Sequence, residues 1–252
     1  MTRKTSFSVV TLFGLCVLAG LTRVLAQLPS PNVIGVATGH IHLNVRDVES
    51  QKELWIDLGA EVTSTGSLEL LRFPGMYIIL RDREPTGPSD GSTVNHFGFS
   101  VRDYSTIRSK LIARNMNIMS DNAANKQITI RSADGALIEF TQDNSIGVPI
   151  SFHHIHLDHT DQEGIRDWYV RVFGAKSSSR RVWPSAIVPG GRIDVRKADT
   201  VKDPTQGRAI DHIGFEVANM EAFADRLRAE GIEFDVEPRD IPRIGLKIAF
   251  IT

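Results

Sequence analysis

At 252 residues, with 41% hydrophobic and 23% charged side chains, the chain has room for two modest domains with real cores, and its balance excludes a disordered chain. A formal net charge of −1, with no run of like charges beyond Arg180-Arg181, excludes a nucleic-acid footprint and points to a small-molecule partner. Cys16 is the sole cysteine, so no disulfide can form within the chain.

Residues 1–26 read as a secretory signal peptide. Arg3 and Lys4 make a basic start, Phe7 to Leu21 an apolar run short for a bilayer, and Val24-Leu25-Ala26 a small-residue cleavage site. A retained anchor fits less well, because Arg23 stands between the run and the cut. The expected product is periplasmic or secreted and keeps no stable membrane anchor. Cys16 leaves with the leader, since Leu15 before it suits lipid attachment poorly, and stability then rests on packing. Losing Arg3, Lys4 and Arg23 from 29 basic residues leaves 26 against 30 acidic ones, a mildly acidic product.

Residues 27–38 hold Pro29 and Pro31 without periodicity and read as a linker. The first module, 39–84, opens on His40 to Val45, whose alternation puts His40, His42 and Asn44 on one face of a strand. Asp47 is placed to cap a helix with Leu54, Trp55 and Leu58 as its apolar stripe and Gly59 as its stop. Strands at Glu61–Thr65, Leu68–Phe73 and Met76–Arg81 follow, giving the order βαβββ. Pro85 to Ser92 is a connector. The second module, 94–142, repeats the order with a strand at His96 to Val101, a helix marked by Ile107, Leu111 and Ile112, and strands at 117–119, 127–131 and 136–141.

Gln142 to Pro149 separates the halves. In the third module, 150–200, Ile165, Trp168, Tyr169, Val172 and Phe173 form a helical stripe closed by Gly174, and the reading takes the aromatics as core. Strands are expected near 182–187 and 192–196, with Arg180-Arg181 as a solvated edge. The fourth module, 208–252, has its strand at His212 to Val217, a helix bearing Met220, Phe223 and Leu227, and strands at 232–236 and 246–251. Laid on the second module, Ile130-Arg131-Ser132 matches Phe250-Ile251-Thr252, so the last strand of this module is expected to lie past the final residue. The sequence thus reads as a fragment or a truncated frame, with one strand edge left unpaired.

Four histidines head four equivalent strands. His40 to His96 spans 56 residues, His96 to His154 58, and His154 to His212 58. Two positions on, the copies read His42, Gly98, His156 and Gly214, so odd copies resemble odd and even resemble even. These residues, with Ile210-Asp211-His212-Ile213-Gly214-Phe215-Glu216-Val217 and Leu137-Ile138-Glu139-Phe140, resemble the vicinal oxygen chelate superfamily, which contains glyoxalase I, extradiol dioxygenases, fosfomycin-resistance proteins and bleomycin-binding proteins.

The resemblance implies an α+β fold of four βαβββ modules, paired into two curled-sheet domains at 39–142 and 150–252, with metal ligands on the concave faces. It implies His40, His96 and Glu139 as ligands in the first domain, with His42 as candidate base. In the second domain it leaves His154 and His212 as a partial set, with His156 as a further acid/base candidate. Two imidazoles and a carboxylate favour Fe(2+) or Mn(2+) and admit Zn(2+) or Ni(2+). The strand Met76-Tyr77-Ile78-Ile79-Leu80 lacks the second glutamate of glyoxalase-type sites, and Asp194 only approximates one in the third module. The expectation is therefore an exported extradiol-dioxygenase-like enzyme acting on a small substrate with neighbouring oxygens. Alternatives are a metal-free binding or sequestering protein of the bleomycin-resistance type, and a glyoxalase I-like lyase, which export and the absent glutamate disfavour. A homodimer is left open.

Overall fold

The structure, a computed structural model, describes residues 28–252; the expected signal peptide and Cys16 lie outside the described residues. Module one comprises β1 (Val36–Val45), α1 (Val48–Leu58), β2 (Glu61–Thr65), β3 (Leu68–Phe73) and β4 (Met76–Asp82). Module two comprises β5 (Val94–Val101), α2 (Tyr104–Ala113), β6 (Asn117–Asn122), β7 (Gln127–Arg131) and β8 (Leu137–Gln142). Module three comprises β9 (Ile150–His159), α3 (Gln162–Phe173), β10 (Lys176–Arg180), β11 (Trp183–Val188) and β12 (Gly191–Lys197). Module four comprises β13 (Ile210–Val217), α4 (Met220–Ala229), β14 (Val236–Ile241) and β15 (Leu246–Phe250).

Each helix starts by the same device. The side chains of Asp47, Asp103, Asp161 and Asn219 accept hydrogen bonds from backbone N–H groups of the first turn, satisfying donors that have no partner within the helix. Gly59 and Gly174 end α1 and α3 in the left-handed region, at φ 116° and 62°.

Three local expectations need correction. The presumed linker is tied down: β1 begins inside it, Thr38 is buried with its hydroxyl donating to the Gly75 and Pro189 carbonyls, and Asn32 donates to the carbonyls of Phe173 and Gly174. Strand β10, Lys-Ser-Ser-Ser-Arg, has no apolar alternation because it is an outer strand with little to bury. Strand β14 starts at Val236 rather than 232, since Ile232 and Phe234 instead pack against the core.

The larger correction concerns which modules pair. One sheet runs β13-β1-β4-β3-β2 and the other β10-β11-β12-β9-β5-β8-β7-β6, with β14-β15 as a separate pair. Antiparallel contacts of β1 with β13 and of β5 with β9 therefore join module one to four and two to three. The expected pairings, within 39–142 and within 150–252, do not form the shared sheets. No described strand borders the other side of β13.

Modules adjacent in sequence pack instead through their helices. Trp55 of α1, fully buried, lies 6.0 Å by ring centroids from Phe73 of β3 and from both Phe97 and Phe99 of β5. Arg114, just past α2, bonds Asp57 of α1 at 2.8 Å. In the other half, Phe173 of α3 packs 4.4 Å from Phe215 of β13 and 5.6 Å from Phe223 of α4. Phe97 and Phe99 serve this helix side, which leaves the alternate residues, His96 and Gly98, on the opposite face. No helix among the described residues is long and apolar enough to cross a membrane.

Trp55 thus fastens the two sheets together, and its indole N–H has no partner. Trp55→Ala should cost about 3–5 kcal/mol in urea unfolding, whereas Trp55→Phe, which keeps most of the ring contact and removes an unsatisfied donor, should cost much less. Equal losses for the two variants would show that ring packing is not what Trp55 supplies.

Candidate metal centres

The new pairing decides which histidines meet. Across β5 and β9, His96 lies opposite His156 and Gly98 opposite His154; across β1 and β13, His40 lies opposite Gly214 and His42 opposite His212. Glycine is needed at both positions. A Cβ on Gly98 would overlap Cε1 of His154 and stand 2.8 Å from its Nδ1, and one on Gly214 would stand 2.7 Å from Nε2 of His40. Each imidazole therefore lies across a bare stretch of the neighbouring strand. The result is two clusters, His96–His154–His156 and His40–His42–His212, in each of which one nitrogen per ring lies within 4.8 Å of the others.

In the cup of modules two and three, Nε2 of His96 and Nε2 of His154 are 3.5 Å apart. Glu139, on β8 opposite Gly98, sends its carboxylate to both, 3.9 Å from His96 and 3.8 Å from His154. A hydrogen-bond chain fixes the His96 tautomer. The Asn95 amide donates to Asp158 at 3.1 Å, so its oxygen is free to accept from His96 Nδ1 at 2.8 Å, and Arg196 grips Asp158 through two bonds of 2.7 and 2.8 Å. The His96 proton therefore sits on Nδ1, and Nε2 presents a lone pair to the cluster. His154 is backed by His153, with their Nδ1 atoms 2.7 Å apart. His156 is buried, packs edge-on to Trp183 at 4.8 Å, and its Nδ1 has no partner.

Asp194 sits on β12 opposite His156, the place in module three that Glu139 holds in module two. It is fully buried, and its oxygens are occupied. One accepts from Ser185 Oγ at 2.5 Å and Arg192 Nε at 2.8 Å; the other faces Arg180 at 3.4 Å and His156 Nε2 at 4.0 Å. Burial, then the neighbouring imidazoles and arginines, hold His96 and His154 well below the usual imidazole range, and burial with Arg196 and Arg180 brings His156 to about 3. These rings are neutral at physiological pH, the form that ligates metals.

The cup of modules one and four differs in its donors. His40 Nε2 and His42 Nδ1 each lie 3.3 Å from His212 Nε2. The residues of β4 opposite His40 and His42 are Tyr77 and Ile79, so the strand that supplies Asp194 in the other cup supplies no carboxylate here. Asp211 instead stands behind the cluster, accepting from His212 Nδ1 at 2.6 Å, from Asn44 at 3.1 Å and from the Gly207 N–H at 2.8 Å. Partial burial opposes ionisation of Asp211, but those three bonds hold its carboxyl below the usual carboxylate range. Burial and the neighbouring rings bring His40 to about 3, and burial with His212 brings His42 to about 4.

The expected set of His40, His96 and Glu139 is thus divided between two sheets. His96 and Glu139 join His154 and His156; His40 and His42 join His212. His42 consequently cannot serve a centre built on His96 and Glu139, and His156 occupies that place. The supporting residues Asn95, Asp158 and Asp211 escaped sequence reading, although two of them directly precede a strand-heading histidine. His159, assigned no role, is exposed and bonds only locally to Asp161.

Residues 151–251 match the model of the Glyoxalase/Bleomycin resistance protein/Dioxygenase superfamily. Glyoxalase I from Zea mays superposes with a TM-score of 0.64 at 14% identity, over 85% of this chain and 87% of that one. A Bacillus subtilis protein provisionally assigned as a dioxygenase superposes with a TM-score of 0.61 at 13% identity, over 85% of this chain and 79% of that one. At such identities the likeness establishes fold alone. No curated protein sequence matches the chain. Residues 151–251 thus carry the match to the Glyoxalase/Bleomycin resistance protein/Dioxygenase superfamily, and over the described chain as a whole the likeness to glyoxalase I is one of fold.

Proposed function

We propose that the chain is an exported, metal-dependent enzyme of extradiol-dioxygenase type, acting on a small substrate with two neighbouring oxygens, with its centre in the cup of modules two and three. The observation that carries this reading is the convergence of His96 Nε2, His154 Nε2 and the Glu139 carboxylate within 3.5–3.9 Å of one another. Two neutral imidazoles and one carboxylate suit Fe(2+) or Mn(2+) and admit Zn(2+) or Ni(2+). A divalent cation held there would supply Lewis acidity toward the paired substrate oxygens.

The protein's own contribution is orientation and proton handling. The chain from Arg196 through Asp158 and Asn95 aims the His96 lone pair, and Gly98 leaves room for the His154 ring to close against β5. His156 completes the cluster of this cup, and its buried, neutral ring is assigned to orienting a bound substrate oxygen by hydrogen bonding. The basic start and apolar run of residues 1–26 support export.

A glyoxalase-like, four-ligand centre is the second reading. In the cup as paired, the strand that would carry the second carboxylate is β12, not β4, and it does carry Asp194. Both Asp194 oxygens already face arginines, which favours the three-ligand reading.

Anaerobic loading with Fe(2+) or Mn(2+), followed by plasma-emission analysis, should find about one equivalent bound in this cup. His96→Ala or Glu139→Ala should abolish it, and Gly98→Ala should weaken it at least about tenfold by displacing the His154 ring. His40→Ala should leave it unchanged. Loss of that metal in His40→Ala, or less than about a tenth of an equivalent in the unaltered protein, would refute the assignment. Retention should also resist acid. A lowered imidazole pKa means that protons displace metal only well below the ordinary value of 6.5, so loaded protein should hold as much metal at about pH 6 as at about pH 8. A release midpoint near 6.5 would show that these rings titrate like exposed histidines.

A further inference from the structure

We propose that the cleft beside the cup of modules two and three is an acid-binding subsite, in which Lys202 and Arg196 take the carboxylate of a substrate whose two neighbouring oxygens lie at the histidine cluster. The substrate class is then a flat aromatic acid such as a dihydroxybenzoate. The inference rests on the reading of this cup as the metal centre. The cleft, of about 580 Å³, has Asp158, Val182, Trp183, Arg196, Lys197 and Lys202 in its lining. It begins where the cluster stops. On β9 the side chains of His154, His156 and Asp158 share a face, and on β12 Asp194 lies opposite His156 and Arg196 opposite Asp158. Two residues along a strand cover roughly 6–7 Å, the reach of a substituted benzene ring. Trp183, edge-on to His156 at 4.8 Å, and the largely exposed Val182 give the cleft an apolar wall against which such a ring can lie.

Lys202 belongs to the connector between modules three and four, and backbone bonds fix its place. The Asp203 N–H donates to the Gly91 carbonyl at 3.1 Å, the Asp203 carbonyl accepts from the Thr93 N–H at 3.0 Å, and the Thr93 carbonyl accepts in turn from the Asp158 N–H at 2.9 Å. The connector is thus stitched to the start of β5, beside Asp158. Carboxylates near Lys202 are committed elsewhere: Asp203 to Arg208 at 3.1 Å, and Asp158 to Nε and Nη2 of Arg196. That leaves the Lys202 ammonium without a carboxylate partner, and Arg196 Nη1 without an acceptor, among the described residues. Lys197 spends its ammonium on the Thr160 carbonyl, and Asp199, the remaining carboxylate of the lining, is exposed. Two free donors from two residues match the two oxygens of one carboxylate.

The test uses the full chain. In metal-loaded protein kept free of oxygen, titration calorimetry should show 3,4-dihydroxybenzoate binding about tenfold or more tighter than catechol. Lys202→Met should remove that margin and leave catechol binding as it was, and Lys202→Arg should restore most of it. A second arm needs no metal. Benzoate, which has no neighbouring hydroxyls, should bind the metal-free protein with a Kd of about 1–10 mM. It should quench indole fluorescence in the unaltered chain and not in Trp183→Phe, and Lys202→Met should abolish its binding. Failure to load metal, with benzoate binding intact and dependent on Lys202, would count against the metal centre and uphold the subsite. Equal affinities for the two diols in loaded protein, a margin that survives Lys202→Met, or no benzoate binding to the metal-free protein would overturn the proposal.

Discussion

The structure turns on one steric constraint: an imidazole laid across a glycine on the adjacent antiparallel strand. His154 lies over Gly98 and His40 over Gly214, and in both cases a single added carbon would collide with the ring. That contact sets the register of β5 against β9 and of β1 against β13. The register then places the second histidine of the odd strand, His156 or His42, opposite the heading histidine of the even strand, His96 or His212. Three rings from two strands therefore meet in each cup.

From this shared frame the two cups part in charge. The cup of modules two and three collects Glu139, Asp194 and Asp158, with Arg180, Arg192 and Arg196 around them. In the cup of modules one and four, β4 presents isoleucine and tyrosine opposite the histidines, and Asp211 stands behind His212. The imidazole geometry is thus common to both cups, while β12 carries Asp194 where β4 carries Ile79. In such a fold chemistry belongs to the site and not to the scaffold.

The four-module architecture was legible because its signals are local: alternating strands, an Asp or Asn before each helix, glycines after α1 and α3, and a period of 56 to 58 residues. The residues of the sites were legible too, since every imidazole in the two clusters heads a strand or follows two places on. Their grouping was not. His-x-His strands meet His-x-Gly strands in either arrangement, so module one can pair equally well with two or with four by pattern alone. What separates the alternatives lies outside the motifs: Trp55 reaching Phe97 and Phe99, and Phe173 reaching Phe215 and Phe223, commit neighbouring modules to helix-side packing. Strand β10 was missed for the simpler reason that an exposed outer strand needs no apolar face.

Which histidines share a cation is therefore the central claim, and anomalous diffraction from crystals of the manganese-loaded protein addresses it most directly. The account predicts a peak enclosed by the side chains of His96, His154 and Glu139. A peak bridging His40 and His96, or one remote from every strand-heading histidine, would contradict it.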